Sequence, residues 1–494
     1  MIDLFAAAAL PRAPARSQPD TCARRLGSLV PRVLSLSIAL ALAGCAGFSA
    51  DGGIDRVSAL SRERTGHAVQ PADTEARDQR IGQLLAAPLT PDGATELALL
   101  NNKRLRVALA ELGIAEADLV QSGRLRNPGF AFGRLSGNGE TEIERSVLFD
   151  LGGLLTMPIR RAIEERRFGQ AQLQTALQAV RTATEARRAY FQAVAAQQSL
   201  RYMQQVGMAA QASAELAQRM AKAGNWGKLE EAREQAFRAE VTAQVNRAEH
   251  QARAARERLV RLLGLSDDHA ALKLPDRLPD LPAATESSDR IEARALAQRL
   301  DVQAAKLETE STAKSLGLTR ATRFVNVLEV GYKNKSATGA SRADGYEVEL
   351  SLPLFDWGEA RTRRAEAIYL RALQRTADIA VQARSEVREL HSAVQTNYQV
   401  ARQYRDEIVP AKKRVSEEVL LRYNGMLASV FELLADSRSQ IASITAAIDA
   451  QRDFWVADTE LQFAMHGGSL LTTAGLPAAS GAAASASAAP AGGH

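Results

Sequence analysis

Apolar and polar residues alternate along "YEVELSL" (346–352), with Tyr346, Val348, Leu350 and Leu352 on one side and Glu347, Glu349 and Ser351 on the other. A period of two is a strand with unlike faces. Past Pro353 the rhythm changes, and from Gly358 apolar residues recur every third or fourth position, as in an amphipathic helix. "LFDLGGLLTMPIRRAIEER" (149–167) makes the same switch in the first half of the chain. Each strand has a partner: "VNVLEVGY" (325–332) reaches 346–352 through the connector "KNKSATGASRADG" (333–345), and "GFAFGRLS" (129–136) reaches "ERSVLFDL" (144–151) across "GNGE". These lengths suit transmembrane strands, although a half-buried soluble hairpin shares the period.

The helical pattern is stronger. No proline occurs from Ile159 to Leu274, and one helix as far as Gly224 would extend on the order of 100 Å. Ala179, Ala186, Ala193 and Leu200 recur every seventh residue, and so do Ala380, Val387, Val394 and Ala401, which predicts coiled-coil seams. Pro158 is expected in the first helical turn, Gly358 at the start of the second long helix, and Pro410 as a bend.

Placing Gly224 over Gly425 also superposes Glu185 on Glu386 and Ala193 on Val394, while "RLRV" (104–107) matches "RLDV" (299–302) at a slightly shorter offset. The chain is therefore written twice: repeat 1 spans 92–271 and repeat 2 spans 290–468, joined by a Pro-rich linker, 272–289. Each repeat reads helix, hairpin, then a long helical hairpin.

Aromatic residues make up only 5 % of the chain and the net charge is +5, with arginines interspersed among glutamates. This profile favours long helices over compact cores and gives no basic tract for nucleic acid. Arg24, Arg25 and Arg32 precede the short apolar run 33–45, a secretory signal over 1–44. A separate N-terminal segment is expected over 45–91. Of the two cysteines, Cys22 precedes the cleavage point, and the six histidines form no metal-ligand spacing. No nucleophile elbow, phosphate loop or zinc signature occurs, so no catalytic or metal site is assigned. Residues 469–494 read as a disordered Ala/Ser/Gly tail.

"LSLPLFDWGEARTRRAEA", "RYNGMLASVFELLADSR" (422–438), "AGNWGKLEEAREQ" (223–235) and "LALLNNKRLRVALAE" (97–111) together resemble the TolC-type outer-membrane efflux channels, notably their lipoprotein branch. Leu42-Ala43-Gly44-Cys45 resembles that branch's lipobox, which implies a lipid on Cys45 as the only covalent group and no other cofactor. The resemblance implies a mainly α fold in which a duplicated protomer gives four strands to a trimeric, twelve-stranded barrel continued by periplasmic helices. It also implies an outer-membrane address, a homotrimer, a periplasmic adaptor and an inner-membrane pump. Gly224, Asn225, Trp226 and Gly227, with Gly425, Met426, Leu427, Ala428 and Ser429, would be the adaptor-contacting tips. The second tip carries one residue more, near Gly425-Met426, than the family's Gly-Leu-Ala-Ser pattern. Glu230, Glu231, Glu432 and Asp436 would ring a constriction; as plain sequence they are equally solvated helix acids. The implied function is a passive duct for drugs or metal ions. Alternatives are the exit duct of a type I protein secretion system, or a non-channel coiled-coil scaffold lipoprotein.

Overall fold

The computed structural model describes residues 47–70, 74–137, 139–265, 272–285, 290–324, 327–351 and 354–469. The signal sequence, Cys45, Leu352, Pro353 and the tail from 470 lie outside the described residues. The N-terminal segment, for which the sequence suggested only a lipid anchor, contains α1 (Ile54–Thr65) and α2 (Thr74–Ala86). Repeat 1 opens with α3 (Pro91–Asn101), begun by Pro91 and capped by Thr90, whose hydroxyl accepts from Gly93 N at 3.0 Å. The segment 97–111, which resembles a single opening helix of the efflux channels, is broken at Asn102. Its extended backbone ends α3, and its side-chain oxygen accepts from Arg104 and Leu105 N–H to start α4 (Lys103–Ser122).

Strands β1 (Gly129–Gly137) and β2 (Glu140–Asp150) lead into α5 (Leu151–Lys222), which turns back as α6 (Lys228–Leu263). Pro158 is not in the first turn of α5. The helix starts earlier because the Asp150 carboxylate accepts from Gly153 N at 2.6 Å, so the proline lies inside it. Repeat 2 follows with α7 (Ile291–Gln298), α8 (Leu300–Ala321), β3 (Leu328–Ala337), β4 (Ala343–Leu350), α9 (Glu359–Gln403), α10 (Val409–Asn424) and α11 (Val430–His466). As expected, Gly358 caps α9, at φ +73°, where an added Cβ would lie 3.0 Å from the Arg323 carbonyl.

Between α9 and α10, Tyr404–Ile408 form a π-helical turn, with Val409 N–H donating to Tyr404 O. A π turn is how an α-helix absorbs one inserted residue, and it lies directly ahead of Pro410, which has no N–H to lose. Before this turn the repeats match as Ala186 with Val387 and Ala193 with Val394, all buried. After it the burial pattern moves on by one residue: Ala248 matches Ala450, Leu259 matches Leu461 and Leu263 matches Met465. Relative to repeat 1, repeat 2 therefore carries its extra residue in the π turn.

The four strands form one antiparallel sheet in the order β1-β2-β3-β4. Both β2 and β3 extend into the segments expected as connector, so that only Thr338 to Arg342 link β3 to β4. The polar residues of that segment pair across strands, which is why they join the ladder: Lys333 with Glu144, Lys335 with Glu142, and Asn334 with Arg145 at 3.1 Å.

Helix α5 is the spine. Its upper part packs with Val57 of α1, Leu105 and Leu112 of α4 and Leu300 of α8. Tyr190, Phe191 and Val194 meet α3 and the linker leucines Leu272, Leu274 and Leu278. Met203 and Ala210 meet Phe237, Val241 and Leu434 further along. Burial pushes the Tyr190 hydroxyl up to about 12.

Candidate functional site

Both hairpin ends are built by one backbone device. At the first, Gly224 takes the left-handed conformation (φ +77°), Gly224 N donates to Ala221 O (3.1 Å) and Asn225 N to Met220 O (2.9 Å). At the second, Met426 is left-handed (φ +60°), with Met426 N on Tyr423 O (3.0 Å) and Leu427 N on Arg422 O (2.8 Å). Both are Schellman motifs. Gly224 is thus the counterpart of Met426 and not of Gly425, which follows from the residue added upstream in the π turn. A methionine there bears a steric cost that glycine avoids.

The next helix begins at Gly227 in the first tip and at Ser429 in the second. The Ser429 hydroxyl accepts from Glu432 N at 3.2 Å, the first half of a capping box. Glu230 and Glu432 hold the same first-turn position, where the helix dipole favours negative charge. Trp226 is half-buried at the first turn, while Met426 and Leu427 project into solvent at 94 % and 81 % exposure. The tips are tied together by Arg233 of α6, which stands 5.4 Å from the Phe431 ring centre.

The four candidate acids separate into two kinds. Glu230 and Glu231 are half-exposed and Glu432 is exposed. Asp436 is buried, and its Oδ2 has no hydrogen-bond partner among the described residues. Its repeat counterpart is Glu234, a residue the sequence did not single out, buried and accepting from Ser213 Oγ at 2.9 Å. Each repeat therefore places an acid in the first turn after its tip, Glu230 or Glu432, and hides another one turn on, Glu234 or Asp436. Among the described residues no group of three or more His, Cys, Asp or Glu side chains is placed to hold a metal ion.

At the other end of the long helices, the register puts Phe130, Val147, Tyr332 and Tyr346 in one row, with Phe149, Val330 and Val348 in the next row on the same face. The opposite face carries Glu142, Glu144, Lys333, Lys335, Glu347 and Glu349. This is the division expected from "YEVELSL". Tyr346 is 86 % exposed in the single chain, so the apolar face has no cover within it. Where β4 gives way to α9, Leu354, Phe355 and Trp357 are also exposed. Among the described residues no helix is long and apolar enough to cross a membrane.

No protein-family model matches the chain, and no curated protein matches it significantly. Solved structures do. They include the CmeC outer membrane channel of Campylobacter jejuni, with TM-score 0.67 and 16 % identity over 81 % of this chain and 88 % of that one. The outer membrane protein VceC of Vibrio cholerae is similar with TM-score 0.63 and 18 % identity, covering 76 % and 96 %. The open state of the Neisseria gonorrhoeae MtrE outer membrane channel gives TM-score 0.62 and 16 % identity, covering 76 % and 88 %. The chain shares the fold of these proteins, a duplicated, mainly helical protomer with a four-stranded sheet.

Proposed function

We propose that the chain is the outer-membrane channel subunit of a tripartite efflux pump, a passive exit duct from periplasm to exterior. The observation that carries this reading is a four-stranded sheet with two unpaired edges, whose β2 runs directly into α5 and whose β4 is followed after residues 351–358 by α9. An open sheet edge in hydrocarbon would leave N–H and C=O groups without partners. Three copies edge to edge give twelve strands and no edge, an even number like that of outer-membrane barrels. In that barrel the Phe130, Val147, Tyr332 and Tyr346 face meets lipid, and the Glu/Lys face meets water. Leu354, Phe355 and Trp357 then lie at the membrane–water boundary, where aromatic side chains settle.

Helix α5, at 72 residues, carries the wall roughly 110 Å away from the membrane. The two tips sit at its far end and meet the adaptor's helical hairpins; a diacylated Cys45 adds an anchor in the outer membrane. Energy comes from the inner-membrane pump, and the duct itself only needs to open. The cargo is a drug or a metal ion. Three copies of the exposed Glu432, with Glu230 and Glu231, gather negative charge at the narrow end and favour cations.

The test is single-channel conductance of the detergent-purified protein in a planar bilayer, with its oligomer mass measured in parallel. Trimers giving discrete, cation-selective steps are expected, and Glu432→Lys should reduce that selectivity. A monomer or dimer without conductance would overturn the reading in favour of a scaffold.

A further inference from the structure

Inside one chain, the wall between the two repeats is formed by α5, which packs against α8 and α11. A salt bridge fixes that junction: Arg188 Nη1 of α5 lies 3.2 Å from Glu460 Oε1 of α11. The duplication puts α9 in the place of α5, and α4 and α6 in the places of α8 and α11. Yet among the described residues α9 has no packing of comparable extent with α4 or α6 of its own chain. Both edges carry exposed apolar side chains whose counterparts in the other repeat are buried. Val381 of α9 is 68 % exposed where its counterpart Val180 is 3 %, and Val107 of α4 is 59 % exposed where Val302 is 3 %.

The charges agree with this correspondence in an unexpected way. The counterpart of Arg188 is Glu389, and that of Glu460, counted past the π turn, is Arg258. The pair is present again with its signs exchanged. Within one chain neither member is used: Glu389 and Arg258 are both exposed, with no ion-pair partner within 4.0 Å among the described residues.

We infer that Glu389 of one copy pairs with Arg258 of the next, so that the contact between copies repeats the register of the internal α5–α11 junction with its charges inverted. The inference rests on the trimeric reading above and adds its register. The inversion has a consequence for assembly. If both junctions carried the same sign order, the α9 edge could seat on the α11 position of another chain as well as on α6. With opposite orders, Glu389 meets Glu460 in the wrong seat and Arg258 in the right one. The internal and external junctions are thereby kept apart, and the ring closes with the repeats in alternation.

The experiment compares Glu389→Arg, Arg258→Glu and the double exchange Glu389→Arg/Arg258→Glu in detergent, by oligomer mass and by the temperature at which the oligomer dissociates. Each single exchange sets like charges against one another at three interfaces and should lower that temperature by on the order of 5 °C. The double exchange should recover most of the loss. A trimeric wild type in which the double variant is as weak as the two single losses combined, or in which neither single exchange has an effect, would overturn the register while leaving the channel reading intact. A wild type that is not trimeric would instead remove the channel reading. As a second measurement, the Glu389→Cys/Arg258→Cys chain treated with a short bis-maleimide should give covalently linked trimers on a denaturing gel, and neither single cysteine variant should. A trimer by mass that gives no such ladder also overturns the register.

Discussion

The two repeats carry the same Arg–Glu pair in very different surroundings. In repeat 2, Arg299 has a side chain only 1 % exposed, paired with Asp301 at 2.7 Å and Glu386 at 3.0 Å, and it also donates to Ala464 O. In repeat 1 its counterpart Arg104 is 77 % exposed and stands 3.9 Å from Glu185. Two local differences account for this. The residue two positions on is Asp301 in one repeat and Arg106 in the other, so only repeat 2 has a second carboxylate. The chain after α11 also returns over the site, with Gly467 O accepting from Leu300 and Asp301 N–H. After α6 the chain is held elsewhere, by Asn101 and Asn102 side chains donating to Gly264 O and Leu262 O. A duplicated ion pair has thus become a buried structural clamp in one copy and a surface contact in the other.

The largest effect is expected at that clamp. Arg299→Ala should destabilise the protein by about 3 kcal/mol, because it strands two carboxylates in a closed site. Arg104→Ala should cost no more than about 0.5 kcal/mol. Denaturant unfolding in detergent measures both, and equal losses would refute the asymmetry.

A smaller contrast is expected at the hidden acids. Glu234→Ala removes the acceptor of Ser213 and should cost about 1 kcal/mol, whereas Asp436→Asn relieves an unpartnered oxygen and should leave stability unchanged or raised. The two tips differ in the same way. Gly224→Ala forces a side chain into the left-handed region and should cost about 1 kcal/mol, while Met426→Gly should gain a similar amount. Gly425→Ala should be close to neutral, since its φ is −81°. If Gly425, and not Met426, proved the sensitive position, the equivalence drawn here would fail.

The smallest effect belongs to the link between α2 and α3. There the Arg80 guanidinium holds the Glu96 carboxyl below the usual glutamate range. A carboxyl depressed on folding contributes stability above its unfolded pKa and loses it as pH falls through the folded value. Arg80→Ala should therefore move the onset of acid unfolding to slightly higher pH, read by a pH titration of unfolding.

Much of the fold could be read from periodicity alone. "YEVELSL" assigned its faces correctly, and the heptads of α5 and α9 lie in buried seams at Ala179, Ala186, Val387 and Val394. Lys333 to Ala337 looked like a loop because the pairing that makes them a strand is with Glu142 and Glu144, far away in sequence. The break at Asn102 is not legible in the sequence, because an asparagine within a helical pattern signals a cap only when its side chain turns onto the backbone. Asp436 reads as a surface acid, and only tertiary packing around α11 hides it.

The duplication, the long helices, the alternating strands and an acid in the first helical turn after each tip are legible in the chain alone, since these depend on neighbours within a turn or two. The tertiary structure decided where the inserted residue sits, which tip residue is left-handed, which acids are buried and which of two identical ion pairs becomes a clamp. These depend on burial, and burial is set by segments that meet across hundreds of residues, such as Gly467 over Arg299. A local pattern fixes which face of a helix is apolar; only packing fixes what covers it.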